Sequence, residues 1–264
     1  MASDAVCPKC EGTGFIIIER GGISGAEPCD CRALGRTERL QDRSQIPPLY
    51  RNASFDNFVV PGVENPNARR DLTTALLAVK GFTREFPNEK RPGLLLIGDV
   101  GVGKTHLAVA ALREIIGKGF EGLFYSYQAL LNNIQKGYNP VSSAADRDAY
   151  RTAMEAEVLL LDDIGAQRAH DWVEDTINSI VTYRCDNRKA LIATTNAPDP
   201  EAKTASGQEI GTVPRQKDAL GQPIHRRTLA EFIGGRARSR LFEMCTVIRM
   251  PLVEDYRVRK GKQF

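Results

Sequence analysis

No apolar run in the sequence approaches the length that crosses a membrane, and residues 1–5 lack the basic and apolar regions of a secretory signal peptide. Both absences predict a cytoplasmic protein. Charge of one sign is also scarce, because the formal net charge is only +3. Histidine is rare, with three in the chain. His106 follows a glycine-rich loop, where we expect it to pack or cap, and no role is evident for His170 or His225.

The small net charge hides an uneven distribution. Residues 226–264 contain ten lysines and arginines against four acids. Such a basic end suits nucleic acid or the phosphates of a nucleotide, and it is equally compatible with an ordinary solvated surface.

Six cysteines in a chain expected to be cytoplasmic indicate metal binding or buried thiols before disulfides. Four of them form two close pairs separated by 18 residues, with glycines after the first pair. These four are Cys7, Cys10, Cys29 and Cys31. Their thiolates can surround one Zn²⁺ tetrahedrally in a structural site, and metal binding would fold a segment too short for its own core. Unmetallated thiols and an iron–sulfur cluster are the alternatives, and we expect Cys185 and Cys245 to be buried thiols.

A short apolar run, Leu94–Ile97, leads into a stretch that matches G-x-x-x-x-G-K-[ST] completely. The stretch consists of Gly98, Asp99, Val100, Gly101, Val102, Gly103, Lys104 and Thr105. A helical pattern follows through Lys118. Glycines let backbone N–H groups turn toward a polyphosphate, Lys104 reaches its terminal phosphates, and the Thr105 hydroxyl can bind Mg²⁺. We therefore predict a phosphate-binding loop, with a chance glycine-rich turn as the alternative.

Two carboxylates, Asp162 and Asp163, follow a second apolar strand at Val158–Leu161. In a parallel sheet both would lie at the carboxyl edge, beside the phosphate loop. We expect Asp162 to hold Mg²⁺ and Asp163 to orient the attacking water, unless the pair is a chance turn. Asn196 follows the strand Ala190–Ala193, where a water between Asp163 and the γ-phosphate would lie; turn capping is its alternative role.

The chain is predicted to have three parts: a zinc-binding knuckle at 1–32, a linker at 33–53, and an α/β ATPase domain at 54–264 with a mobile insertion at 197–227. Apolar spacing within the domain predicts further helices at 67–86, 129–138, 171–184 and 229–243, and strands at 123–126 and 246–250. On the last helix, Arg236 and Arg240 share a face, whereas Arg238 points elsewhere.

In order, these motifs resemble the DnaC and IstB group of AAA+ ATPases, which are helicase loaders and transposon helper ATPases. The resemblance covers residues 47–264. It rests on Ile46–Pro48, Phe55–Phe58, Gly98–Leu107, Leu159–Gly165, Tyr183-Arg184, Thr195-Asn196 and Ser239–Glu243.

The resemblance implies a parallel five-stranded sheet in the order 5-1-4-3-2 with helices on both faces. It implies that Asn196 is the first sensor, that Arg240 is an arginine finger for a neighbouring subunit, and that Arg236 assists it. The helix after Ser126 would grip single-stranded DNA. We also assign Phe58 and His106 to the nucleotide-binding set.

Two departures from the pattern matter. Asp163 stands where most AAA+ proteins have glutamate, and the shorter side chain shifts the oxygen that orients water, so we expect slow hydrolysis. The sequence also leaves no room after the fifth strand for a full helical lid, which suggests a switch more than a strong motor.

The resemblance favours an ATP-dependent helicase loader, an oligomer that binds single-stranded DNA while its zinc segment docks a replicative helicase. An IstB-like transposition helper that recruits a transposase is the first alternative. A zinc-dependent nucleic-acid binding module with a structural nucleotide is the second, and a small-molecule phosphotransferase, for which no acceptor pocket is evident, is weaker.

Overall fold

A computed structural model describes residues 7–11, 13–20, 23–61, 65–137, 144–166, 171–199, 227–251, 253 and 255. Most of the predicted insertion, at 200–226, lies outside this part, as do His170, His225 and residues 256–264. The division into knuckle, linker and ATPase domain stays a prediction.

The N-terminal segment is a hairpin followed by a helix. Strands β1 (Phe15–Arg20) and β2 (Ile23–Pro28) pair antiparallel, and helix α1 (Asp30–Arg43) follows directly. A short 3₁₀ helix occupies Pro48–Tyr50. The end of α1 is attached to the main sheet, because the Phe124 N–H donates to the Ser44 carbonyl at 2.7 Å.

The remaining elements alternate between helix and strand, the pattern of a parallel α/β sheet. They are α2 (Pro66–Glu85), β3 (Gly93–Ile97), α3 (Lys104–Gly117), β4 (Gly122–Ser126), α4 (Tyr127–Gly137), α5 (Ala144–Glu155), β5 (Val158–Ile164), α6 (Asp171–Asp186), β6 (Ala190–Thr195), α7 (Leu229–Met244) and β7 (Cys245–Arg249).

The main sheet has five parallel strands in the order β4-β5-β6-β3-β7. Numbered one to five along the chain and read from the other edge, this is 5-1-4-3-2, so the predicted order is confirmed. Alternate side chains of β3 enter different cores: Leu94 and Leu96 face the helices α2 and α3, whereas Leu95 and Ile97 face α4 to α7. The sheet is therefore covered on both faces.

The 3₁₀ helix at Pro48–Tyr50, helix α5 and strand β2 were not predicted from the sequence. Helix α5 buries an alanine face, through Ala149 and Ala153, which does not stand out as an apolar stripe. Strand β2 reads Ile-Ser-Gly-Ala-Glu-Pro and has no alternating apolar pattern; its pairing with β1 defines it.

Helix α7 is divided by a kink at Gly234. A capping box between Thr228 and Glu231 fixes its start. Gly234 has φ 80° and ψ 151°, a conformation that is open almost only to glycine, and a Cβ there would overlap the carboxylate of Glu174. The kink thus divides α7 into two halves, and the second half consists of residues 235–244.

The guanidinium of Arg184, on α6, is fully buried and joins three elements. It donates to the carbonyls of Ala153 and Ala156 at the end of α5 and to that of Ala190 at the start of β6. Burial lowers the pKa of Arg184 below its ordinary value, which is the electrostatic cost of this position.

In the described part of the chain, no helix is long and apolar enough to cross a membrane.

Arg184→Met should lower the free energy of unfolding by about 3 kcal/mol or more, because several buried carbonyls lose their donor. Urea denaturation followed by circular dichroism measures it. Arg70→Met, on an exposed part of α2, is the control and should change stability by less than about 0.5 kcal/mol. If Arg184→Met lowers the free energy of unfolding by less than about 1 kcal/mol, Arg184 does not hold these elements together as described.

Candidate functional site

The glycine-rich loop lies between β3 and α3, at the carboxyl edge of the sheet. Gly101 and Gly103 have φ of 80° and 98°, which side-chain-bearing residues rarely adopt. Helix α3 begins at Lys104, so the positive end of its dipole adjoins the loop. The geometry is that of an anion-binding cradle.

Lys104 is buried within this cradle. Its Nζ donates to the Asp99 carbonyl at 2.8 Å. Burial lowers the pKa of Lys104. The negative charges of Asp163, Asp162 and Asp99 act in the opposite direction and raise it. The ammonium is thus poised in a poorly solvated site, where bound phosphate would favour its charged form.

Asp162, on β5, accepts hydrogen bonds from two hydroxyls on other elements. Thr105 Oγ1 donates to its Oδ1 at 2.9 Å, and Thr194 Oγ1 donates to the same oxygen at 2.7 Å. Thr105 and Asp162 are the predicted Mg²⁺ ligands, and the structure brings them together. Hydroxyl and carboxylate oxygens suit this hard cation. Burial raises the pKa of Asp162, and the two hydroxyls oppose the rise.

Thr194 was missed in the sequence. Thr194 contacts Asp163 as well as Asp162, since the Asp163 N–H donates to Thr194 Oγ1 at 2.8 Å. The position of Thr194 near the end of a strand, beside the strand that carries the aspartates, could have indicated its role. A threonine in an apolar strand, however, is also explained by its preference for β-structure.

Asp163 lies in an irregularity of β5, with a register shift between Leu161 and Ile164. Its φ is 61°, and its side chain is exposed whereas that of Asp162 is buried. The bulge therefore re-aims the second carboxylate at the sheet edge.

Asn196 comes directly after β6, which lies between β5 and β3. The Gly98 N–H donates to the Thr195 carbonyl at 3.2 Å, so the start of the phosphate loop is fixed to the residue before Asn196. The structure thus gathers Asn196, the loop and both aspartates at one edge.

The rings of Phe58 and His106 are buried against each other, with centroids 5.5 Å apart. His106 Nε2 lies 2.9 Å from the Ser54 carbonyl oxygen. These contacts hold the segment before α2 against α3. A direct contact of either residue with nucleotide stays a prediction.

Arg240 lies on the second half of α7, and its charged partners are acids outside the phosphate loop. Its Nη1 is 2.9 Å from Glu243 Oε2, and its Nη2 is 3.8 Å from Asp186 Oδ1. Glu243, foremost, raises the pKa of Arg240. The side chain is 40% exposed, and Arg236 is exposed as well. Both arginines are therefore available at the surface.

The third arginine of this segment is different. Arg238 is mostly buried and pairs with Asp199, whereas its two neighbours in the pattern are surface residues. Helical spacing had indicated that it points elsewhere than Arg236 and Arg240.

The four N-terminal cysteines meet at the base of the hairpin. Their sulfur atoms all lie within 4.8 Å of one another, with Cys10 and Cys29 buried. A tetrahedral zinc with Zn–S bonds of about 2.3 Å requires S–S separations of about 3.8 Å, so the donor set fits one such ion. The Gly14 N–H donates to Cys10 Sγ at 3.3 Å, which supports a thiolate there.

The other two cysteines differ from each other. Cys245 is fully buried, as expected, and burial raises the pKa of its thiol. Cys185 is only half-buried, which corrects the expectation, because it lies near the end of α6 close to Arg240.

Asp162→Asn should raise the stability of the nucleotide-free protein at neutral pH. Because the pKa of Asp162 is raised on folding, its ionisation opposes folding at every pH above its unfolded value. Thermal melts at pH 7 measure the change. The control is Asp163→Asn, an exposed change at a φ that asparagine tolerates, which should alter stability by less than about 0.5 kcal/mol. A lower melting temperature for Asp162→Asn would contradict this account.

Comparison with known proteins shows where the chain belongs. Residues 71–208 match the family described as IstB-like ATP binding protein. The phage-like element PBSX protein XkdC of Bacillus subtilis is 25% identical over 72% of this chain and 71% of its own length. The replicative helicase loader DnaC of Buchnera aphidicola is 27% identical over 73% of this chain and 75% of its own. A crystal structure of the DnaC helicase loader is 29% identical, with a TM-score of 0.59, and covers 78% of this chain and 100% of that one. The family match extends over more than half of the sequence and includes the phosphate loop, both aspartates and Asn196: this chain belongs to the IstB-like ATP-binding proteins.

Proposed function

We propose that this protein is an ATP-dependent helicase loader. Mg·ATP at a subunit boundary assembles an oligomer that binds single-stranded DNA and a replicative helicase, and slow hydrolysis releases them. The likeness to DnaC over about three quarters of this chain supports the loader function. One observation supports a nucleotide site shared between two protomers. The phosphate site is built within one protomer, whereas Arg240 lies exposed on another part of the same protomer.

Within one protomer, the residues of the sheet edge bind and orient the nucleotide. The loop amides and Lys104 take the phosphates, and Thr105 and Asp162 hold Mg²⁺, which neutralises charge that develops on the phosphates. Asp163 and Asn196 orient the attacking water. The Asp163 N–H is bonded to Thr194, which fixes the backbone at this point. Because the side chain is shorter than that of glutamate, its oxygen orients the water less well, so hydrolysis is slow while nucleotide binding is intact.

The neighbouring protomer supplies a cation. Arg240 leaves Glu243 and Asp186 and reaches the γ-phosphate of the adjacent site, with Arg236 beside it. Exposed ion pairs of this kind are weak, so the exchange requires little free energy. An arginine finger is worth roughly 10³–10⁵ in rate, which lets assembly control hydrolysis.

Single-stranded DNA binds along α4. Its exposed face carries Gln128, Asn132, Gln135 and Lys136, and the helix contains no acid. Amides and an ammonium donate to phosphate oxygens without reading sequence.

The zinc segment docks the helicase. On β1, Phe15 and Ile17 point to the same side and are 43% and 78% exposed. Apolar side chains exposed beside a metal-held turn suit a protein partner more than nucleic acid. The cytoplasmic location is part of this proposal.

A transposition helper is the second candidate, favoured by the IstB family match. Purified protein bound to beads and exposed to lysate in Mg·ATP separates the two: recovery of a ring helicase supports the loader, and recovery of a transposase supports the helper.

Lys104→Ala should abolish ATP-dependent assembly and DNA binding, whereas Arg240→Ala should keep ATP binding and lower hydrolysis at least about 100-fold. Light scattering, with and without ATP and an oligodeoxynucleotide, and a phosphate-release assay measure these effects. If Lys104→Ala leaves oligomer size and DNA affinity unchanged, the nucleotide is structural and the third reading, a nucleic-acid binding module, is correct.

The purified protein should contain one zinc per chain. Replacing Cys10 and Cys29 together with serine should remove the metal and the helicase interaction, while ATP binding persists because the phosphate site lies in the separate sheet edge. Elemental analysis and nucleotide titration measure both. Cys185→Ser is the matched control and should keep the zinc. Iron in place of zinc, or no metal, would contradict this assignment.

A further inference from the structure

Asp199 and Arg238 form an ion pair between two elements that flank the candidate site. Arg238 Nε and Nη2 each lie 2.8 Å from a separate carboxylate oxygen of Asp199. The side chain of Asp199 is 2% exposed and that of Arg238 is 17% exposed. The guanidinium also lies over the ring of Phe242, 4.7 Å from its centroid. We call this pair the Asp199–Arg238 bridge.

A bridge this deeply buried is a poor source of stability. Moving two charges out of water offsets most of their attraction, and apolar residues of similar size often serve as well. What a bidentate pair supplies is direction, because two parallel hydrogen bonds fix the relative position of both partners. The bridge therefore points to a need for precise placement.

The two ends of the bridge are attached differently. On the Asp199 side, the chain is fixed to β6 and β5: the Ala197 N–H donates to Thr195 Oγ1, which donates to the Ile164 carbonyl. Asp199 is three residues beyond Asn196, on a segment that also accepts from the Leu229 N–H through Pro198. This side is anchored without the bridge.

The Arg238 side belongs to the second half of α7, beyond the kink at Gly234. Apolar contacts of Ala237, Leu241 and Met244 hold this segment against the sheet. Such contacts are not directional. The directional restraints on this segment include the bridge and strand β7, which follows Met244 directly and pairs with β3. Arg240 lies between these two restraints, two residues from Arg238, so loss of the bridge would shift its guanidinium.

We infer that Asp199 and Arg238 are positioning residues for Arg240, which set where one protomer presents this arginine to the nucleotide of the next. The inference rests on the proposed function. The bridge acts at the neighbour's site and not at its own, because its own phosphate site is fixed independently through Asp162, Thr105 and Thr194.

Mixed assemblies test this asymmetry. Arg240→Ala protomers, the acceptors, keep an intact phosphate site but offer no finger. Asp163→Asn protomers, the donors, bind ATP, assemble and offer a finger, but they cannot orient the attacking water in their own site. Each alone should be nearly inactive, and their mixture should hydrolyse ATP where an acceptor site meets a donor finger.

Asp199→Asn is then placed on one protomer type at a time. On the donor, it should lower kcat of the mixture about tenfold or more with KM for ATP unchanged, because a displaced finger loses rate and not substrate binding. On the acceptor, it should change kcat less than twofold. Arg238→Lys on the donor, which keeps the charge but loses the bidentate geometry, should fall in between.

The controls separate folding from positioning. Arg70→Met on the donor should leave the mixture at full activity, and thermal melts confirm that every variant is folded. Asp199→Asn keeps the shape of the side chain; if it nevertheless unfolds the donor, Arg238→Lys carries the same comparison.

The outcomes separate failure of the shared site from failure of the positioning role. No activity in the unmodified donor and acceptor mixture overturns the shared site, and with it the proposed function. An active mixture that is insensitive to Asp199→Asn on the donor, or equally sensitive on both protomers, overturns the positioning role alone.

Discussion

The carboxylate of Asp162, held between the hydroxyls of Thr105 and Thr194, is the contact on which the geometry of the candidate site depends. It joins the start of α3, the end of β5 and the end of β6 through bonds of 2.7 to 2.9 Å. The strand order makes this possible, because β5, β6 and β3 are adjacent and their carboxyl ends meet. Burial raises the pKa of Asp162, and a cation bound beside this carboxyl would favour its charged form.

Two other parts of the molecule, the second half of α7 and the N-terminal segment, are connected to the sheet by specific polar contacts. The Asp199–Arg238 bridge connects the segment after β6 to the second half of α7, where Arg240 is exposed. At the outer strand β4, which lies beside β5, the end of α1 is bonded to the sheet through Ser44 and Phe124. Since Cys31 belongs to the first turn of α1, this helix connects the cysteine cluster to the sheet. Contacts made at the hairpin therefore have a short structural route to the α/β core.

Much of this could be predicted from the sequence. The phosphate loop, the strand that ends in Asp162 and the cysteine pairs are local patterns, and each has a chemical reason that fixes residue type and spacing. The sheet order followed from resemblance, and the hydrogen-bond register confirms it.

What the sequence did not give is the long-range pairing of polar side chains. Thr194 and Asp199 look ordinary in their segments, because their partners lie 32 and 39 residues away. Arg184 contributed to the resemblance, but its buried bonds to Ala153 and Ala156, 31 and 28 residues away, were not predicted. The kink at Gly234 was missed for the opposite reason: a glycine within a helical pattern is weak evidence for any particular φ and ψ. Helix α5 was not predicted because alanines, which do not form a clear apolar stripe, make up its buried face.

In the proposed assembly, two protomers share one nucleotide. The most direct measurement is a cryo-electron microscopy structure of the protein with Mg²⁺, a non-hydrolysable ATP analogue and single-stranded DNA. We predict that the Arg240 guanidinium lies about 3 Å from the γ-phosphate held by the Gly98–Thr105 loop of the adjoining protomer. A structure in which nucleotide is bound but Arg240 still contacts Glu243 and Asp186 of its own chain, with no neighbour at the γ-phosphate, would contradict it.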